Sequence, residues 1–463
     1  MTRVRFLLIV ITCLINSILS LSAQETKADI EWFCNAKLGL FVHWGLYSQT
    51  AGLWNGIPSK GGEHFMLYER IHLKDYAKIA DDFNPVDFDA ERWVKTAKAA
   101  GMKYIVITAK HHDGFAIYNS KCSDYNIVKR THFKRDPIKE LSVACKKEGI
   151  KLGLYYSLGR DWEDPDVPTD WPQKAGRSNT WDFPDEDAKV LSRYIERKVK
   201  PQLKELLTNY GEIAMLWFDT PELVTKQQSR EIRELIHSLQ THCLINSRIG
   251  NGQGDYDIIE QQLMEKIKRT PWEACLTMGK NWGNNRFDTI YKSPEMIIRN
   301  FVDIVSKGGN MLLNVGPTGK GLFPKESVHT FNGLYAWLKV NGEAIYGTHP
   351  WKTYGENLTP TAEENTSKTP FHDAEYDGIP KGNTSDLRFT SKDNFVYVFA
   401  RSIQERSFVI KSIDNTDKIK KVTLLGSRLH VGFKHVTNGL QISVPTFSTE
   451  QIPVYVFRIE FKK

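Results

Sequence analysis

Between residues 30 and 345, short apolar runs alternate with stretches whose apolar residues recur every three or four positions. The short runs, at 38–46, 103–108, 151–157, 212–219, 243–248, 256–260, 274–278 and 311–315, predict eight strands. The periodic stretches, at 89–100, 137–148, 185–209, 230–239 and 294–306, predict helices; in the first, Trp93, Ala97 and Ala100 share one face. Gly101, Gly149, Gly211 and Gly308 stand just past four of them, where a helix ends on a left-handed residue. Strands alternating with helices imply parallel βαβ units, and eight strands imply a closed barrel. Only residues 249–255 join the fifth and sixth strands, too few for a crossover helix, so the barrel is expected to be irregular there.

After residue 351 the period changes. Residues 352–383, rich in Thr, Glu, Pro, Gly and Asn, read as linker. Runs at 386–390, 394–400, 407–412, 421–425, 439–444 and 454–461 follow with no helical period. The expected fold is therefore α/β: an irregular (β/α)8-like barrel over residues 24–350, then a C-terminal antiparallel β-sandwich over 351–463.

The N-terminus bears on compartment. Arg3 and Arg5 precede an apolar run at 6–14, and Leu-Ser-Ala ends at Ala23. This is the layout of a secretory signal cleaved after Ala23, so the chain is expected to be exported. The run is shorter than the roughly 20 residues of a spanning helix, and no later segment could cross a bilayer. Net charge is +7 with no dense basic stripe, which argues against a nucleic-acid partner; Lys418, Lys420 and Lys421 read as a solvated strand edge. Cys34, Cys122, Cys145, Cys243 and Cys275 are odd in number, widely spaced and without a CxxC pair, so free thiols are expected. Asn357, Asn365 and Asn383 begin glycosylation sequons.

Barrel active sites lie at the C-terminal ends of the strands. Here those ends carry His43, then His111, His112 and Asp113, then Tyr155 and Tyr156, then Trp217 and Asp219, then Arg248, then Glu260. Each alone has a plain structural explanation, but six polar or aromatic ends on one face predict binding or catalysis. Asp219 closes an apolar strand, and a buried carboxylate needs partners or a role; the alternative is an N-cap for the turn at Pro221. Glu260 and Glu273 are the other carboxylates near strand ends. Two carboxyl groups facing one cleft are the equipment of glycoside hydrolysis. No nucleophile elbow and no HExxH spacing is present. Adjacent strand residues point to opposite sides, so His111 and His112 are expected to make a poor chelate, and no metal is expected.

Several runs are longer than such patterns require: KLGLFVHWGLYS at 37–48, TAKHHDGF at 108–115, GLYYS at 153–157, LWFD at 216–219, LLNVGP at 312–317 and WLKVNGEAIYG at 337–347. In content and order they resemble glycoside hydrolase family 29, the retaining α-L-fucosidases. The resemblance implies double displacement without metal or organic cofactor, acting on fucosylated glycans or oligosaccharides, and an appended β-sandwich. It implies that Asp219 is the nucleophile, that His43, His111 and His112 bind sugar hydroxyls, and that Tyr156 and Trp217 line the pocket. Arg248 would lie near the nucleophile. Glu63 matches a substrate-binding glutamate, although His64 stands where the family often has Trp. Trp282 matches an aromatic that usually precedes Gly-Tyr; the Tyr position is Asn284 here.

Glu260 and Glu273 both remain candidates for the acid/base. Glu260, at a strand's C-terminal end, is preferred over Glu273, at a strand's start. A related glycosidase acting on L-galactose, or an inactive sugar-binding homologue, are the alternative functions.

Overall fold

A computed structural model describes residues 27–168, 179–357, 386–400, 406–445 and 452–462. Its first sheet has eight parallel strands: β1 (Leu38–Val42), β2 (Tyr104–Lys110), β3 (Lys151–Ser157), β4 (Met215–Asp219), β5 (Leu244–Ile245), β6 (Asp257–Glu260), β7 (Trp272–Thr277) and β8 (Asn310–Val315). Their order is β5-β4-β3-β2-β1-β8-β7-β6. Every residue of β1, β2, β7 and β8 is buried, as expected of strands covered on both faces. The sheet curls into the expected barrel, and its two free edges meet at one bridge between Asn246 and Tyr256. There Ser247 N–H donates to Tyr256 O at 2.8 Å and Asp255 N–H to Ile245 O at 2.7 Å.

Among the described residues, six helices of ten residues or more flank the strands. α1 (Ala90–Ala99) is capped by Asp89 and buries Trp93, Val94 and Ala97. α2 (Pro137–Glu148) starts on Pro137 and stops at Gly149, φ 70°. The helix expected over 185–209 begins instead at Leu191 and widens into a π turn, Ile195–Val199, before α3 (Lys200–Asn209). Pro201 lacks the N–H that a regular helix would need there. α4 (Lys226–Leu239) begins in a Thr225–Gln228 capping box. α5 (Pro294–Ser306) follows β7. α6 (Lys325–Asn341), outside the expected set, buries Phe331, Leu334, Trp337 and Leu338. No helix lies between β5 and β6, only the short turn Ser247–Ile249.

The C-terminal unit contains β9 (His349–Asn357), β10 (Asp386–Lys392), β11 (Phe395–Ala400), β12 (Ser407–Ile410), β13 (Ile419–Leu424), β14 (Gly432–Val436), β15 (Gly439–Ser443) and β16 (Tyr455–Phe461). A sheet β9-β10-β11-β16-β13 and a sheet β12-β15-β14, both antiparallel, share one core around Phe389, Val398, Ile410, Leu440 and Phe457. Residues 352–357, expected as linker, instead extend β9; 358–385, with the sequons at Asn365 and Asn383, lie outside the described residues, as do 1–23. Lys420 and Lys421 are exposed on the edge strand β13, a device that discourages edge pairing. All five expected thiols are free. Among the described residues no helix is long and apolar enough to cross a membrane.

A buried ion cluster locks the sandwich to the barrel. Asp303 of α5 accepts from Arg388 Nε of β10 at 2.7 Å and from Lys307 Nζ at 2.6 Å. Removing one member leaves the other charges buried and under-compensated. Asp303→Ala is therefore expected to lower unfolding stability by about 3–5 kcal/mol in urea titrations. A loss below about 1 kcal/mol would show that the clamp is not structural.

Candidate active site

Asp219 ends β4 with its carboxylate turned into the barrel mouth. Oδ1 accepts from Arg248 Nη1 at 2.8 Å and from Thr220 N–H at 2.9 Å, and Oδ2 accepts from the Tyr155 hydroxyl at 2.9 Å. The N-cap alternative does not apply, because no helix starts at Pro221. Burial alone would raise this carboxyl, but Arg248, Arg160 and the Tyr155 and Thr220 donors together hold it below the usual range. The turn is tight: Thr220 has φ +55°, uncommon for a β-branched residue, and a Cβ on Gly159 would sit 2.2 Å from Thr220 O.

Arg248 also binds Glu260 through Nη2, and its guanidinium lies 5.0 Å over the Trp217 ring. One cation thus holds two carboxylates and rests on an indole face. Asn246 supports this arrangement from below. Its amide accepts from Phe218 N–H and donates to Phe218 O, both at 2.9 Å, replacing the ladder that the two-residue β5 cannot supply.

The imidazoles form a wall beside the carboxylate. His43 Nδ1 meets Asn314 Oδ1 at 2.7 Å, and Asn314 Nδ2 donates to Trp282 O at 2.8 Å. His43 therefore donates from Nδ1 and presents a lone pair on Nε2. Ser157 Oγ gives its proton to Arg160 O at 2.7 Å, so His112 Nδ1, 2.6 Å away, donates to Oγ. The Nε2 lone pair of His112 then faces Asp219 Oδ2 at 3.5 Å. Burial keeps all three strand-end imidazoles uncharged: it pulls His43 down to about 4, and His111 and His112 well below the ordinary value. The alternation argument does not apply to His111 and His112. β2 ends at Lys110, the two follow in a turn, and their rings lie 4.3 Å apart.

Tyr156 requires a correction. It lies on the outer face of β3, and its hydroxyl donates to Gln202 at 2.7 Å. Tyr155 faces inward, opposite Trp217 in the parallel register, and Ser157 opposite Asp219. Of the two tyrosines, Tyr155 belongs to the site. Trp217 stacks on Tyr155 at 5.6 Å, and Trp282 lies 5.0 Å from His43. Glu63 is buried, accepts from Gly283 N–H at 3.0 Å, and is pushed up to about 7 by burial. It holds the loop bearing Trp282 rather than reaching Asp219 through any hydrogen bond. His64 stacks against His111 and His112 at 5.8 and 5.2 Å.

Glu273 starts β7 deep in the barrel and accepts from Trp217 Nε1 at 3.0 Å and from the Tyr104 hydroxyl. It makes no direct contact with Asp219; it sits beneath the indole that carries Arg248. Tyr155, named at its strand end but given no role, belongs here, and Ser157, Arg160, Asn246 and Asn314 complete the site without having been assigned a role from the sequence. Glu222, one turn after Asp219, is a further nearby carboxyl raised by partial burial and by the Asp219 charge.

Burial pushes Glu273 up to about 7, against about 4.3 in an unfolded chain. A carboxyl raised in the folded state contributes stability that is full below its unfolded value and lost as pH rises through about 7. Glu273→Gln removes that dependence, while Glu63 remains in both proteins. The variant is expected to gain on the wild type by up to about 3 kcal/mol between pH 4 and 8 in urea titrations. A pH-independent difference would show that Glu273 keeps its charge.

The α-L-fucosidase family model matches residues 19–343. The chain is 31% identical over 377 residues to the plasma α-L-fucosidase of Homo sapiens, covering 74% of this chain and 73% of that protein. The solved α-L-fucosidase isoenzyme 1 from Paenibacillus thiaminolyticus superposes with a TM-score of 0.78 at 32% identity, over 95% of this chain and all (100%) of that one. AlfC, an α-L-fucosidase from Lactobacillus casei solved with α-L-fucose product, gives 0.64 at 39% identity over 66% of this chain and 97% of that one. With an arginine-paired carboxylate at a barrel mouth and a family match across most of its length, this chain belongs to the α-L-fucosidases.

Proposed function

We propose that the chain is an exo-acting retaining α-L-fucosidase that removes terminal α-L-fucose by double displacement, with Asp219 as nucleophile and Glu260 as acid/base. The observation that carries this is the single Arg248 guanidinium shared by the two carboxyl groups. It keeps them within its own span, compatible with the about 5–5.5 Å of retaining enzymes. Complexes of AlfC with 4-nitrophenyl α-L-fucopyranoside and with Fucα(1,6)GlcNAc support fucosides as the substrate class. The layout at residues 1–23 supports export through an N-terminal signal.

Asp219 attacks the anomeric carbon as Glu260 gives its proton to the leaving oxygen, forming a fucosyl ester and the free aglycone. Glu260 then takes a proton from water, which attacks the same carbon, frees Asp219 and releases fucose with its configuration retained. Charge stays balanced at both stages. Arg248, ionised Asp219 and protonated Glu260 sum to zero, as do Arg248, esterified Asp219 and ionised Glu260. The uncharged imidazoles accept from sugar hydroxyls, and the faces of Trp282 and Phe41, 5.9 Å apart, offer an apolar wall to the C6 methyl.

With 4-nitrophenyl α-L-fucoside, Asp219→Ala is expected to lower kcat at least about 1000-fold. Glu260→Ala is expected to lose about 100- to 10,000-fold. Azide should rescue Glu260→Ala as the α-fucosyl azide and Asp219→Ala as the β-azide. Rescue of Glu273→Ala instead would move the acid/base to Glu273. Tyr155→Phe, which removes a donor to a charged group, should cost about 10- to 100-fold in kcat/KM, and Tyr156→Phe less than about 3-fold. The reverse ranking would overturn the assignment of Tyr155.

A further inference from the structure

His64 adds a third imidazole to the pair at the end of β2. One ring nitrogen from each of His64, His111 and His112 lies within 4.8 Å of the others. Their ring centroids are separated by 4.3, 5.2 and 5.8 Å. Two imidazoles on one tetrahedral ion, with metal–nitrogen bonds of about 2.0–2.1 Å, have centroids about 5 Å apart.

Hydrogen-bond polarity is the second observation. His112 Nε2 presents a lone pair to Asp219 Oδ2 at 3.5 Å, so two acceptors face each other with no proton between them. The edge of a zinc coordination tetrahedron is about 3.3 Å. A hydroxyl has one proton and can satisfy only one of the two acceptors; a cation can satisfy both. The buried Nδ1 of His111 has no hydrogen-bond partner among the described residues.

We propose that His64, His111 and His112 bind one divalent transition ion of the zinc class beside Asp219, and that this ion shuts the pocket to sugar. Nitrogen ligands suit zinc, cobalt, nickel and copper rather than calcium or magnesium, which take oxygen. An ion so placed lies against the Asp219 carboxylate and occupies the nitrogens that would meet the sugar hydroxyls. Exclusion of the sugar rests on the pocket reading above; ion binding does not.

The test is titration of metal-free full-length protein with Co2+, read by its visible absorption bands, and with Zn2+, read by calorimetry. The wild type is expected to bind one ion per chain, with Mg2+ giving no heat and L-fucose weakening Zn2+ binding competitively. His64→Phe and His64→Gln should each weaken Zn2+ binding at least 10-fold, and Cys122→Ser, which removes the exposed thiol, should leave it unchanged. The metal site is overturned by absent Co2+ bands, by both His64 variants binding within 2-fold of wild type, or by loss of binding in Cys122→Ser. Exclusion is overturned if Zn2+ binds and fucose does not compete. Fucoside hydrolysis by metal-free protein, measured alongside, reports on the hydrolase reading independently.

Discussion

Arg248 reaches from the turn after β5 and places one nitrogen on Asp219 and another on Glu260, at the end of β6. Those two strands are the free edges of the sheet, joined by a single bridge and by no helix. The contact with Glu260 therefore spans the seam between these two edge strands. The same short connection that denies this seam a crossover helix delivers the arginine to Asp219. Gly254 permits it: a Cβ there would lie 2.5 Å from the Ser247 backbone. Closure of the fold and assembly of the carboxyl pair are one constraint.

Support for that constraint comes in layers. Asn246 stands in for missing ladder bonds immediately before Asp219. Below it, Glu273 fixes the indole of Trp217, whose face carries Arg248 and stacks on Tyr155. Behind β2 and β3, Asp161 accepts from Lys110 and Lys198, each at 2.8 Å, and Lys198 also pairs with Glu163, all four largely or wholly buried. This cage fixes the loop carrying Arg160 beside the turn that carries His111 and His112. A rim charge on a flexible loop could drift by an ångström; these side chains are held by groups that lose their own partners if they move.

How much of this was legible depends on where each signal lies along the chain. α2 and α5 were bounded correctly because Pro137 and Pro294 begin them, and Gly149 and Gly308 stand at or just past their ends. A charge at the end of an apolar run is a local pattern, and it marks Asp219, Arg248 and Glu260 as candidates. Tyr155 and Tyr156 were not separable, since side-chain direction follows from the pairing of β3 with β4, which is not local. His111 and His112 were misjudged because alternation holds only inside a strand, and β2 stops one residue earlier. Ser157, Asn314 and Asn246 act through partners far along the chain, and a lone Ser or Asn carries no mark of that.

The polarity of the pocket follows from what is buried around it. Burial without a facing anion strong enough to hold a proton leaves His43, His111 and His112 uncharged, and the bonds to Asn314 and Ser157 fix the tautomers of His43 and His112. A wall of lone pairs suits a ligand rich in hydroxyl donors and disfavours an anion. The three imidazoles do not change charge across neutral pH, so the wall keeps one polarity there. A charged imidazole 3.5 Å from Asp219 would add a third cation to Arg248 and Arg160 around that carboxylate. Keeping His112 neutral leaves the carboxylate to those two and the Nε2 lone pair in place as an acceptor.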